Sequence, residues 1–171
     1  MSEGAFQKIL VPVEFETLDE GESVPGESVE VAGHDRVAIG PYTIRALELA
    51  ARLARGGELW IVHVHHRFSD YATWMEPSVL DELNNAASQY STEVLKDIAV
   101  RHCPDVKHHY VIEAGRPIRV ILELAEKNSA DAIVLAASSR GKVNRAFHGS
   151  TADRIIRRAS CPVIVVPSGT P

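Results

Sequence analysis

Residues 113–137, EAGRPIRVILELAEKNSADAIVLAA, decide the fold. Gly115-Arg116-Pro117 marks a helix start, because proline in a first helical turn gives up an N–H that has no intrahelical partner there. Ile118, Ile121, Leu122 and Ala125 follow at three- and four-residue spacing, which predicts a helix with one face on a core. Asp131 to Ala136 then reads as a strand, and Val106 to Ile112, upstream of the helix, reads as another. Strand, helix and strand in this order make a βαβ unit, which requires a parallel sheet covered by helices.

The same alternation extends in both directions. Lys8 to Val13 predicts a first strand, near-continuously apolar as a strand buried on both faces must be. Tyr42 to Arg55 carries Ile44, Leu47, Ala51 and Leu53 at helical spacing and is closed by Gly56-Gly57. Glu58 to Val64 predicts a second strand. Ser78 to Arg101 predicts a long helix through Leu80, Leu83, Ala87, Tyr90, Val94 and Ile98, ended by the turn Cys103-Pro104-Asp105. Ser150 to Ala159 predicts a last helix and Pro162 to Val166 a fifth strand. The segment 15–41 is too long for a βα connection and reads as an insertion. Within it, Ser28–Ala32 and Arg36–Ile39 alternate around Gly33-His34-Asp35 as a hairpin would. The alternative is an unstructured acidic loop, since Glu14 to Asp35 holds eight acidic residues and neither Lys nor Arg.

A chain of 171 residues suits one domain spanning 1–171. No apolar run approaches the roughly 18 residues of a membrane span, and MSEGAFQKILVPVEF lacks the pattern of a secretory signal, so a cytoplasmic protein without a membrane partner is expected. The net charge of −5 argues against a nucleic-acid partner. Cys103 and Cys161 lack metal-ligand spacing and are expected as reduced thiols. His63 and His65 share a strand face and, with His66, His108 and His109, raise a metal-site reading; no carboxylate or cysteine stands at a diagnostic spacing, so hydrogen-bonded histidines at a strand end are the expectation and no metal site is assigned.

Four stretches, KILVPVE (8–14), ELWIVHV (58–64), EAGRPIRVILELAEKNSADAIVLAASSRG (113–141) and GSTADRIIRRASCPVIVVP (149–167), resemble the universal stress protein family in this order and spacing. The resemblance implies an α/β fold, adenine-nucleotide α-hydrolase-like: an open five-stranded parallel sheet of order 3-2-1-4-5 with helices on both faces, here with an acidic insertion after the first strand. It also implies a stress-response regulator that forms a homodimer through its last strand, 162–166. Its ligand set is ATP, ADP or AMP, with magnesium, or a smaller phosphate-type anion. No catalytic residue is assigned, so at most slow ATP hydrolysis is expected.

The site follows from the loop SSRGKVNRAFHGST, residues 138–151. Nucleotide-binding members of that family carry Gly-x-x-Gly, nine residues, then Gly-Ser or Gly-Thr; here Ser138 replaces the first glycine and seven residues separate Gly141 from Gly149. Inward-facing backbone N–H groups and the start of a helix suit an anion there. Six basic residues between Ser138 and Arg158 face a single acid, Asp153. Ser150 can cap its helix, with Asp153 as the reciprocal partner, or contact phosphate. The expected contacts are Pro12, Val13, Glu14 and Val64 for base and ribose, and Ser138, Arg140, Gly141, Gly149, Ser150 and Thr151 for phosphates. Glu14 stands where the family usually has aspartate. If the first and fourth strands are neighbours, the insertion emerges beside the loop and screens the ligand, so deleting it should raise affinity. A different class of function is an interaction module without nucleotide, its insertion serving as the partner surface.

Overall fold

Ile9 and Val11 on one side of the first strand and Leu10 on the other are all buried. A strand that buries both faces needs a helix layer on each, and the computed structural model supplies them. It describes residues 6–18, 27–31, 35–65, 67, 72, 74–137 and 150–167. The elements are β1 (Lys8–Pro12), β2 (Phe15–Leu18), β3 (Glu27–Val31), β4 (Asp35–Ile39), α1 (Pro41–Leu53), β5 (Glu58–His65), α2 (Pro77–His102), β6 (Lys107–Ala114), α3 (Pro117–Lys127), β7 (Ala132–Ala136), α4 (Ser150–Ile156) and β8 (Val163–Val166). The main sheet runs β6-β5-β1-β7-β8 with every described pairing parallel. Its strands, counted along the chain, have the expected order 3-2-1-4-5.

One layer packs Ala46, Leu47 and Ala50 of α1 and Val94, Leu95 and Ile98 of α2 on Ile9, Val11, Leu59 and Ile61. The opposite layer packs Ile121, Leu124 and Ala125 of α3 and Ala152 and Ile155 of α4 on Leu10, Val62, Ile133 and Leu135. Asp131 aligns the start of β1, its carboxylate accepting the N–H groups of Gln7 and Lys8 at 2.9 and 2.8 Å.

Two expectations change. The last helix ends at Ile156 rather than Ala159, because the Arg158 N–H turns to the Ile155 carbonyl, three residues back, and the chain winds down toward β8. The insertion is a three-stranded antiparallel sheet, order β2-β4-β3, rather than a bare hairpin. β3 pairs with β4 from Val31↔Asp35 to Glu27↔Ile39, as the hairpin reading requires, while Phe15–Leu18 adds a strand on the other side of β4. FETL is too short to signal a strand by pattern. The hairpin tip at Gly33-His34 lies outside the described residues, as does His66.

Candidate functional site

In a parallel sheet all carboxyl ends lie on one edge, and the chain leaves that edge in opposite directions where the strand order reverses. Here the reversal lies between β1 and β7. A cavity of about 590 Å³ opens there. Its floor is Pro12 and Val13 after β1, Val62 and Val64 of β5, and Leu135, Ala136 and Ala137 of β7. The starts of three helices stand around it: Pro41, Tyr42 and Thr43 of α1, Pro117 of α3, and Thr151 of α4. Helix starts carry unpaired N–H groups and the positive end of the helix dipole. α1 and α3 have no side-chain cap, and each begins with proline.

Of the expected contacts, Pro12, Val13, Glu14, Val64 and Thr151 are brought together as lining residues. Ser150 opens α4 beside them, its side chain outside the described residues; Ser138, Arg140, Gly141 and Gly149 also lie outside them. Asp153, the candidate reciprocal cap for Ser150, accepts both contacts of the Arg157 Nε–H, at 3.0 and 3.1 Å. The insertion borders the cavity, as expected from its place after the first strand, but sequence reading did not name the residues that do so: Phe15 and Glu16 of β2, Ala38 of β4 and Gly40 beyond it. It missed the α1 and α3 starts as well. The signal for those was Pro41 and Pro117, each placed by the parallel topology on the carboxyl edge.

Glu16 and Ala38 are direct cross-strand partners, so they share the face of the inserted sheet that borders the cavity. On the alternate face, Val37 and Ile39 are fully buried and Phe15 packs with them in the α1–α2 core. The insertion is therefore a core element, and deleting it would remove buried apolar side chains as well as opening the cavity.

Val13 is tied to β5 twice. Its N–H donates to the Val62 carbonyl at 2.8 Å, and its carbonyl accepts from His63 Nδ1 at 3.0 Å. A carbonyl only accepts, so the His63 proton resides on Nδ1. The imidazole also stacks on the Phe15 ring, centroids 4.2 Å apart. Burial pushes His63 below its ordinary value, against the opposing effects of the Val13 hydrogen bond and the Glu14 charge, so the ring is neutral at pH 7.

The other histidines serve local bonds. His108 Nε2 donates to the Cys103 carbonyl at 2.7 Å, and its Nδ1 accepts from the Tyr110 hydroxyl. His109 donates to Glu58 at 2.9 Å and stacks on Trp60. Among the described residues, no three His, Cys, Asp or Glu side chains cluster as metal ligands would. Cys103 and Cys161 are free thiols. No described helix is long and apolar enough to cross a membrane.

A sequence profile of the Universal stress protein family matches residues 37–167. Universal stress protein MJ0531 of Methanocaldococcus jannaschii is 35% identical over 88 residues, covering 52% of this chain and 51% of that protein. The matched stretch thus spans about half the length of that relative. The Thermus aquaticus universal stress protein named for the QAH/OAS sulfhydrylase 3′ region is 28% identical over 121 residues, covering 71% of this chain and 85% of that one. Among solved structures, universal stress protein UspA from Lactobacillus plantarum superposes with a TM-score of 0.61 at 22% identity, covering 96% of this chain and 99% of its own. A universal stress protein in complex with cAMP superposes with a TM-score of 0.54 at 17% identity, covering 97% and 100%. The fold is thus the doubly wound α/β class with its cavity at the strand-order reversal. The chain belongs to the universal stress protein family.

Proposed function

We propose that this chain is a stress-response regulatory protein that binds an adenine nucleotide, or a smaller phosphate-type anion, in the cavity between β1 and β7. The observation that carries this reading is the position of the cavity, which takes about 590 Å³ at the strand-order reversal among three helix starts. That volume is within the range of small-molecule sites. The complex of a family member of this fold with cAMP supports it.

Val13 and Val64 offer apolar surface to a base, and the exposed Glu14 carboxylate can accept from ribose hydroxyls. Thr151, Ser150 and the α4 start would receive a phosphate, with Ser138, Arg140, Gly141 and Gly149 of the preceding loop as its further contacts. Magnesium would accompany ATP. The titratable side chains among the described lining residues are Glu14, Glu16 and Tyr42. We read this site as one for ligand-dependent signalling rather than efficient turnover.

β8 is an edge of the main sheet, and nothing among the described residues pairs with its outer side. An exposed apolar edge is a liability that a second subunit removes. The functional unit is accordingly a homodimer joined through residues 162–166. Thermal-shift assays with AMP and with ATP, with and without magnesium, test the ligand. A nucleotide at 100 times its dissociation constant should stabilise the chain by about 2.7 kcal/mol. Unmoved melting curves at millimolar concentrations of both would contradict nucleotide binding.

A further inference from the structure

The path of residues 13–16 decides whether the cavity has a wall, since Val13, Glu14, Phe15 and Glu16 all line it. β1 ends at Pro12 and β2 begins at Phe15, so the chain changes sheets within this stretch. At such a crossing the backbone loses its ladder partners, and a buried carbonyl needs another donor. Val13 is 2% exposed, and the donor to its carbonyl is the side chain of His63. The same imidazole stacks on Phe15, the first residue of the inserted sheet, with an interplanar angle of 22°. Phe15 in turn meets the Tyr90 ring of α2 edge-on at 6.5 Å. One side chain thus holds both ends of the crossing: the residue just after β1 by a hydrogen bond, and the first of the inserted sheet by ring contact.

We propose that His63 is the positioning residue of this cavity, fixing the Val13–Glu16 crossing and thereby seating the inserted β2-β4-β3 sheet as the ligand-facing wall. It touches no ligand in this role and acts through Val13 and Phe15. The link to affinity rests on the nucleotide reading above, whereas the positioning of the wall does not.

Two contacts allow two separable substitutions. His63→Asn places an amide N–H near the position of Nδ1 and keeps the bond while losing the stack; His63→Phe keeps a ring for Phe15 and leaves the Val13 carbonyl without its donor. His63→Ala removes both. In the unliganded protein, backbone amide exchange of residues 15–18 should quicken about tenfold or more in His63→Ala, the size expected when a buried carbonyl loses its donor. His63→Asn should restore most of that protection and His63→Phe less. Amides of β7, which do not touch His63, are the internal control for global loss of stability. Calorimetric titration with AMP should show the same order of variants, with His63→Ala about tenfold weaker than the wild type.

Unchanged exchange in residues 15–18 of His63→Ala overturns the inference. Equal acceleration there and in β7, unrelieved by His63→Asn, also overturns it, because it marks a general stability effect. If the exchange pattern holds but the wild type binds no AMP, the wall assignment stands and the nucleotide reading fails. If AMP binds and the variants titrate like the wild type, the cavity reading stands and the role of His63 in it fails.

Discussion

Glu58 shows how much a single side chain reveals only once its neighbours are in place. Its carboxylate accepts from His109 at 2.9 Å, Lys107 at 3.1 Å and Trp60 Nε1 at 3.2 Å. These donors, His109 foremost, lower its pKa from 4.5 to about 2. The folded value lies below the unfolded one, so the pairing stabilises the fold above pH 4.5 and is lost as pH falls toward 2. Thermal melts across that window should show the wild type losing more stability than Glu58→Gln; parallel curves would remove Glu58 from the acid response. The Cys103 thiol is pushed up to about 12, chiefly by burial, and donates to the Leu47 carbonyl at 3.6 Å. Alkylation of the native protein at pH 8 should therefore modify the half-buried Cys161 well before Cys103, and mass spectrometry of the products reads the order. The sequence offered two thiols without ligand spacing and several histidines, but not their partners. His63 and Val13 are fifty residues apart and meet only because β1 and β5 are adjacent.

At the scale of elements, periodicity located every strand of the main sheet and every helix packed on it to within a few residues. It succeeded because a doubly wound sheet makes its strands continuously apolar and its helices one-sided. β2 was invisible because its four residues pair across an insertion, and their pattern depends on a partner eighteen or more positions away. Two adjacent glycines after α1 illustrate different demands. Gly56 sits at φ +88°, with open space where a Cβ would stand, so Gly56→Ala should cost about 1 kcal/mol through left-handed strain alone. At Gly57 an added Cβ would collide with the Gln7 carbonyl oxygen, where β5 starts beside β1. Gly57→Ala should therefore be the more damaging, by roughly 1–3 kcal/mol from overpacking, as urea unfolding of the two variants will show. Equal losses would mean that the β1–β5 approach has slack.

At the scale of the molecule, order and direction of the main strands place the cavity and bring Pro12, Val13, Glu14, Val64 and Thr151 to its lining. That the insertion stands beside it follows from the neighbouring first and fourth strands; which of its residues face the cavity does not, because that depends on which face of β2 and β4 turns inward, a fact fixed by Val37 and Ile39 entering the core. Assembly has its own test. The Ile133 N–H donates to Pro162 and the Ala137 N–H to Val166, so alternation along β8 turns the Val165 N–H to the open side. The proposed homodimer through β8 predicts that the wild type is a dimer in light scattering and that Val165→Pro, with its β7–β8 pairing intact, is a monomer; a monomeric wild type, or a variant of unchanged mass, would contradict that interface. The central claim concerns the cavity itself, and a crystal structure grown with saturating AMP tests it most directly. The nucleotide should lie between β1 and β7, its base against Val13 and Val64 and its phosphate at Thr151. An empty cavity at that concentration, or AMP bound elsewhere on the protein, would contradict the account.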